Sequence, residues 1–208
     1  ANFGVDLSDT LELYGHANYN SKEVDGGFFF RNPTNRGAVY SGDGGATLLI
    51  GDLAPNDGVD CPVVTMNGNI PDGDAFAQVQ ADPNCFSFQE TITGGFTPRV
   101  GGDITDMSFL IGLRGEISEN LRWDVSAYRG EHEADFFINN TVNASLGPDT
   151  PRNFDPGLYK QTDTNFNADL SWTVSDTLNI GFGGEFRNEE FEIGPGQVES
   201  YTAGPLAD

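Results

Sequence analysis

Residues 166–187 read FNADLSWTVSDTLNIGFGGEFR, and from 166 to 174 apolar and polar residues alternate without a fault. Side chains alternate across a strand with period two, so Phe166, Ala168, Leu170, Trp172 and Val174 share one face. Asn167, Asp169, Ser171 and Thr173 share the other. The pattern resumes with Leu178, Ile180, Phe182, Gly184 and Phe186 set against Asn179, Gly181, Gly183, Glu185 and Arg187. The stretch is a hairpin with one oily face and one wet face. The oily face packs either on a second sheet in a soluble sandwich or against lipid in a membrane barrel.

The turn inside this stretch, VSDTL at 174–178, has two relatives, LSDTL at 7–11 and ISENL at 117–121. Ser and Asp hydrogen-bond their own backbone in tight turns, so the three mark hairpin tips. Alternating runs flank each tip. Leu11, Leu13, Gly15, Ala17 and Tyr19 oppose Glu12, Tyr14, His16, Asn18 and Asn20. Met107, Phe109, Ile111, Leu113, Gly115 and Ile117 oppose Ser108, Leu110, Gly112, Arg114 and Glu116. Leu121, Trp123, Val125 and Ala127 oppose Arg122, Asp124, Ser126 and Tyr128. With the run before Ser8 this predicts an all-β, antiparallel up-and-down meander of about six strands, with apolar stretches of the length a tilted strand needs to cross a bilayer.

The connections away from the tips are long. Residues 25–104 form a Gly-, Asp- and Pro-rich stretch read as an extended loop with no core of its own, and 139–161 as a second long loop. Short turns at one end and long loops at the other are the asymmetry of an outer-membrane barrel. Trp123 and Trp172, each two residues from a tip, fall where an interfacial aromatic girdle belongs, and Phe28, Phe29 and Phe30 suit an opposite girdle or loop packing. The 25–104 loop carries Cys61 and Cys85. In an exported protein an even count in one loop favours a disulfide over two free thiols, and two cysteines with no nearby His are too few ligands for zinc.

The chain has 208 residues, with 10 Lys and Arg against 32 Asp and Glu, for a formal charge of −22. Such a chain is a poor partner for nucleic acid, whose phosphates require Lys and Arg to displace counterions. No stretch approaches the roughly 18 apolar residues of a transmembrane helix, which leaves strand-crossing untouched. The start, ANFGVDLSDT, carries no basic n-region or apolar h-region, and is expected to lie inside a longer protein.

Candidate chemistry is sparse. Glu131, Glu133 and Asp135 share a face beside His132, and DGDAF from Asp72 and DGVDC from Asp57 hint at calcium loops. A solvated strand extension and ordinary acidic loop surface account for them better, and the full EF-hand spacing is missing. His16 reads as a polar residue on a wet strand face. No nucleophile elbow, P-loop or dinucleotide fingerprint occurs, so no catalytic residue, cofactor or metal ligand is assigned and no enzyme is expected. NNT at 139–141 and NAS at 143–145 match the glycosylation sequon.

The segments GLRGE, NTVNASLG, GGEFRNEEFEI and SYTAGP, within 101–205, resemble the middle of the barrel domain of TonB-dependent receptors. The resemblance implies a segment of a 22-stranded outer-membrane barrel whose lumen holds an N-terminal plug, importing a scarce ligand such as a siderophore or glycan with energy relayed by TonB. The implied partners are outer-membrane lipid, the remaining strands and plug of the receptor, TonB through that plug, and the ligand. The implied location is the bacterial outer membrane, with the loops extracellular. The plug and TonB box of the family are not matched here. Acidic loops favour a neutral glycan or peptide over an anionic iron chelate. The alternative expectation is an extracellular structural or adhesive β-protein, or a receptor-derived fragment in an extracellular assembly, with cation-binding acidic loops.

Overall fold

A computed structural model describes residues 1–207. In chain order the strands are β1 (Asn2–Ser8), β2 (Leu11–Gly27), β3 (Gly51–Asp52), β4 (Met66–Asn67), β5 (Ile70–Pro71), β6 (Cys85–Phe86), β7 (Arg99–Ser118), β8 (Leu121–Asn139), β9 (Asn153–Ser175) and β10 (Leu178–Pro195). Two helices, α1 (Gly73–Ala81) and α2 (Phe88–Thr91), lie between β5 and β7.

The long strands form one six-stranded antiparallel sheet in the order β1-β2-β7-β8-β9-β10. Neighbours in the sheet are therefore successive long strands, as a meander requires. The three tips fall where the recurring pentapeptides lie: Asp9 and Thr10, Glu119 and Asn120, and Asp176 and Thr177. Their chemistry is local. Ser8 Oγ accepts from the Thr10 N–H at 3.3 Å, and Ser175 Oγ from the Thr177 N–H at 3.4 Å, side-chain bonds that stand in for a turn's own backbone bond. In the first hairpin Val5 stands opposite Leu13, Gly4 opposite Tyr14, and Asn2 opposite His16. One register thus sorts apolar and polar residues onto separate faces.

The chain divides into two compact units. The first, Ala1–Val24, Gly102–Asp135 and Leu158–Gly194, is built from the sheet. Among its described residues Ala134 is the one buried apolar side chain. The large apolar residues of the sheet stand in the open: Phe182 is 57 % and Phe186 62 % exposed, with Phe109, Ile111, Phe166, Trp172 and Ile180 also uncovered. The sheet does not close on itself, and β1 and β10 are its edges.

The second unit comprises Asp25–Gly101, Phe136–Gly157 and Pro195–Asp208. It corrects the expectation of an irregular loop without a core. Tyr40, Phe86, Phe88 and Phe96 form one buried cluster, backed by Val39, Leu53, Ile92, Val142, Ala144 and Leu206. Leu48, Val64, Val79 and Cys85 form a second, backed by Ile50, Met66 and Phe76. Irregular spacing hides these residues from any periodicity test, because Tyr40, Leu48, Val64 and Phe96 lie outside the named helices and strands and Cys85, Phe86 and Phe88 lie in pieces of two to four residues. Asp72 caps α1 by accepting from the Ala75 N–H at 2.9 Å. Ser87 and Glu90 form a reciprocal capping box on α2, which satisfies orphan donors that a helix this short would otherwise leave bare. Cys61 and Cys85 are joined by a disulfide, with Cα atoms 5.7 Å apart.

The second expected loop, 139–161, is shorter than read, because β9 already begins at Asn153. Pro156 and Gly157 interrupt the alternation there, since Pro lacks an N–H and Gly157 sits at φ +107°. The strand accepts the kink, with Asp155 Oδ1 receiving the Gly157 N–H at 2.8 Å.

Candidate functional site

The polar face of the sheet carries an ordered network across three strands. Arg114 of β7 grips Glu12 of β2 with two hydrogen bonds, Nε to Oε2 at 2.8 Å and Nη2 to Oε1 at 3.0 Å. The same guanidinium lies 5.1 Å from the centroid of the Tyr14 ring. Tyr14 in turn donates its hydroxyl to Asp124 Oδ1 of β8 at 2.6 Å. Residue 112 is glycine where the tyrosine lies: a Cβ there would come within 2.6 Å of Tyr14 Cε1. Of this network Glu12, Arg114 and Asp124, together with Asp6, Arg122 and Asp169, line a cleft of about 510 Å³. Paired guanidinium and carboxylate forks fix one another's orientation, so this wall is polar, preorganised and wet.

Farther from the tips the same face carries Asp106. It accepts from Asn20 Nδ2 at 3.4 Å and meets His132 Nδ1 at 2.5 Å. A groove of about 740 Å³ runs past these residues, Tyr128 and Asp163.

The acidic clusters singled out in the sequence find partners within the protein. Glu131 and Glu133 are bridged by Lys160, at 2.9 and 3.6 Å, while His132 belongs to the opposite face of β8 and pairs with Asp106. Asp135 follows on the face of Glu131 and Glu133. Asp72 is the cap of α1, and Asp57 accepts from the Val59 N–H at 2.8 Å. Among the described residues no group of three His, Cys, Asp or Glu is arranged to hold a metal ion. The sequon residue Asn143 is also engaged: its Nδ2 donates to the carbonyls of Glu199 and Thr202, both at 2.9 Å. His16 pairs across to Asn2, on the polar side as expected.

The second unit holds a separate cavity of about 660 Å³, lined by Val39, Leu49, Phe86, Phe88, Tyr201 and Leu206 among others. Beside its core, Asp43 organises the 41–47 turn. Its carboxylate accepts from Ser41 Oγ at 2.8 Å, Ala46 N at 2.9 Å, Thr47 N at 3.0 Å and Thr47 Oγ1 at 2.7 Å. The Thr47 bonds first, then Ser41 and Ala46, hold that carboxyl well below the usual carboxylate range. Tyr40 is fully buried and donates to the Ile92 carbonyl at 2.7 Å; burial pushes its hydroxyl up to about 12.

Sequence reasoning placed Glu12, Tyr14, Arg114 and Asp124 on wet strand faces but did not join them. Glu12 and Arg114 are 102 residues apart, and only the strand order brings them together. Comparison with protein-family models, curated proteins and solved structures finds no match to this chain.

Proposed function

We propose that this chain forms part of the wall of an outer-membrane receptor of the TonB-dependent kind, importing a scarce ligand and doing no bond-making chemistry. The apolar sheet face meets lipid, the Glu12–Arg114–Tyr14–Asp124 face lines the lumen, and the second unit faces the cell exterior. The observation that carries this reading is a six-stranded sheet with large apolar side chains uncovered on one face and a hydrogen-bonded ionic network on the other. Exposed apolar patches of that extent mark an interaction surface.

Dimensions support lipid as the partner. The apolar positions 107–117 of β7 cover roughly 33 Å of strand at 3.3 Å per residue, which a 40° tilt reduces to about 25 Å, the height of the apolar band on outer-membrane barrels. Past that band the same face turns charged, at Glu131, Glu133 and Lys160. Six strands with two free edges leave backbone groups unpaired, which lipid does not tolerate, so further strands of the receptor complete the wall.

The receptor extracted from membranes is expected to migrate differently on gels before and after boiling, and to resist protease except in the second unit. Recovery of the whole protein as a water-soluble monomer contradicts the proposal and favours the adhesive β-protein.

A further inference from the structure

The second unit contains four basic residues, Arg31, Arg36, Arg99 and Arg152. Arg99 is bound to Asp25 at 2.7 Å. The other three have no carboxylate partner among the described residues, in a chain that carries 32 acids. They also converge. Arg31 and Phe96 exchange backbone hydrogen bonds, Arg31 N to Phe96 O at 2.6 Å and Phe96 N to Arg31 O at 3.2 Å. Side chains directly opposite in such a pair lie on the same face about 5 Å apart. Arg152 stacks on that Phe96 ring, 5.1 Å from its centroid, and Arg31 on Phe28 at 5.3 Å. Tyr40, whose backbone N–H bonds the Arg36 carbonyl at 2.9 Å, has its ring 6.4 Å from Phe96.

Two features of this cluster lack a partner. Arg152 donates Nη2 to Asn140 Oδ1, but its Nε is buried and makes no hydrogen bond. A buried donor without an acceptor is destabilising, more so on a charged group. The charge of Arg36 also bears on Arg31, which burial and that neighbour together push below its ordinary value. An oxyanion between the guanidinium groups would offset that repulsion and supply strong charge-assisted hydrogen bonds. Ring stacking fixes two of the guanidinium planes beforehand, which lowers the ordering cost of binding.

We propose that Arg31, Arg36 and Arg152 form a binding site for a small oxyanion, a carboxylate or a phosphate. This reverses the preference for a neutral ligand drawn from net charge alone: the unit is acidic in sum and cationic at this one place. That the anion belongs to the imported ligand rests on the receptor reading; the site itself does not.

The test is calorimetric titration of the purified, disulfide-intact protein with sodium citrate and, in a separate arm, sodium phosphate. Saturable binding of either is expected, weakening with added salt. Arg36 is exposed, so Arg36→Gln leaves the fold intact and should weaken binding by about tenfold or more. Arg152→Lys keeps the charge while removing the buried Nε–H and the fork, and should weaken it as well. Arg187→Gln, in the first unit and paired with Glu189, should change nothing. The arm that binds tells carboxylate from phosphate. Absence of saturable binding in both arms, or equal affinity in Arg36→Gln, overturns the site. A water-soluble protein that still binds citrate would remove the receptor reading and leave the anion site standing.

Discussion

Tyr40 condenses the second unit into one side chain: fully buried, its hydroxyl spent on the Ile92 carbonyl at 2.7 Å. Tyr40→Phe keeps the ring and strands that carbonyl, and is expected to cost about 1–2 kcal/mol in denaturant unfolding followed by near-ultraviolet circular dichroism. A pH dependence accompanies it. The folded hydroxyl holds its proton up to about 12, whereas the unfolded one releases it near the ordinary tyrosine value of 10.0. Between those values the unfolded state binds fewer protons, so stability falls as pH rises from 10 towards 12. Tyr40→Phe should flatten that alkaline decline, and an unchanged slope would show that another group sets it. Nothing in the sequence marks Tyr40 as central, since it stands in RGAVYSGDGG without helical or strand period.

At the level of elements, Gly112 and Tyr14 decide how β2 and β7 meet on the polar face. The ring occupies the space that a side chain at residue 112 would fill, a use of glycine that lets an aromatic neighbour lie flat on the sheet. Gly112→Leu should push Tyr14 off Asp124 and destabilise the sheet by about 1–3 kcal/mol. Tyr14→Ala in the Gly112→Leu background should recover part of the loss, because the clash has gone. Additive losses in thermal unfolding of the two single variants would refute the contact. The strands and their three tips were legible because alternation and Ser-acid turns are local signals. The second unit was not, because its core is assembled from Tyr40, Leu48, Val64, Val79, Phe86 and Phe96 at irregular spacing. Its disulfide was legible, since two cysteines in one segment leave a single intramolecular pairing. The polar network was half legible: parity put Glu12, Tyr14, Arg114 and Asp124 on wet faces, but pairing across 102 residues depends on strand order. The acidic run at 131–135 was legible as a charged strand extension, but spacing two along a strand says nothing of the basic residue opposite, here Lys160.

For the whole molecule the open question is the solvent on each side of the sheet. Hydrogen bonds and ion pairs claim the polar face, while Phe109, Ile111, Phe166, Phe182 and Phe186 remain uncovered on the other. A sandwich would bury those residues against protein, and a barrel wall would present them to lipid. Spin labels introduced one at a time along 166–187 in the membrane-embedded receptor separate the two. The account predicts that labels at 166, 168, 170, 172, 178, 180, 182 and 186 are reached by oxygen dissolved in lipid and shielded from a water-soluble nickel chelate. Labels at 167, 169, 171, 179, 181, 183, 185 and 187 should show the reverse. Shielding of the first set from both reagents, as against a second sheet, or equal access of the chelate to both sets, would contradict it.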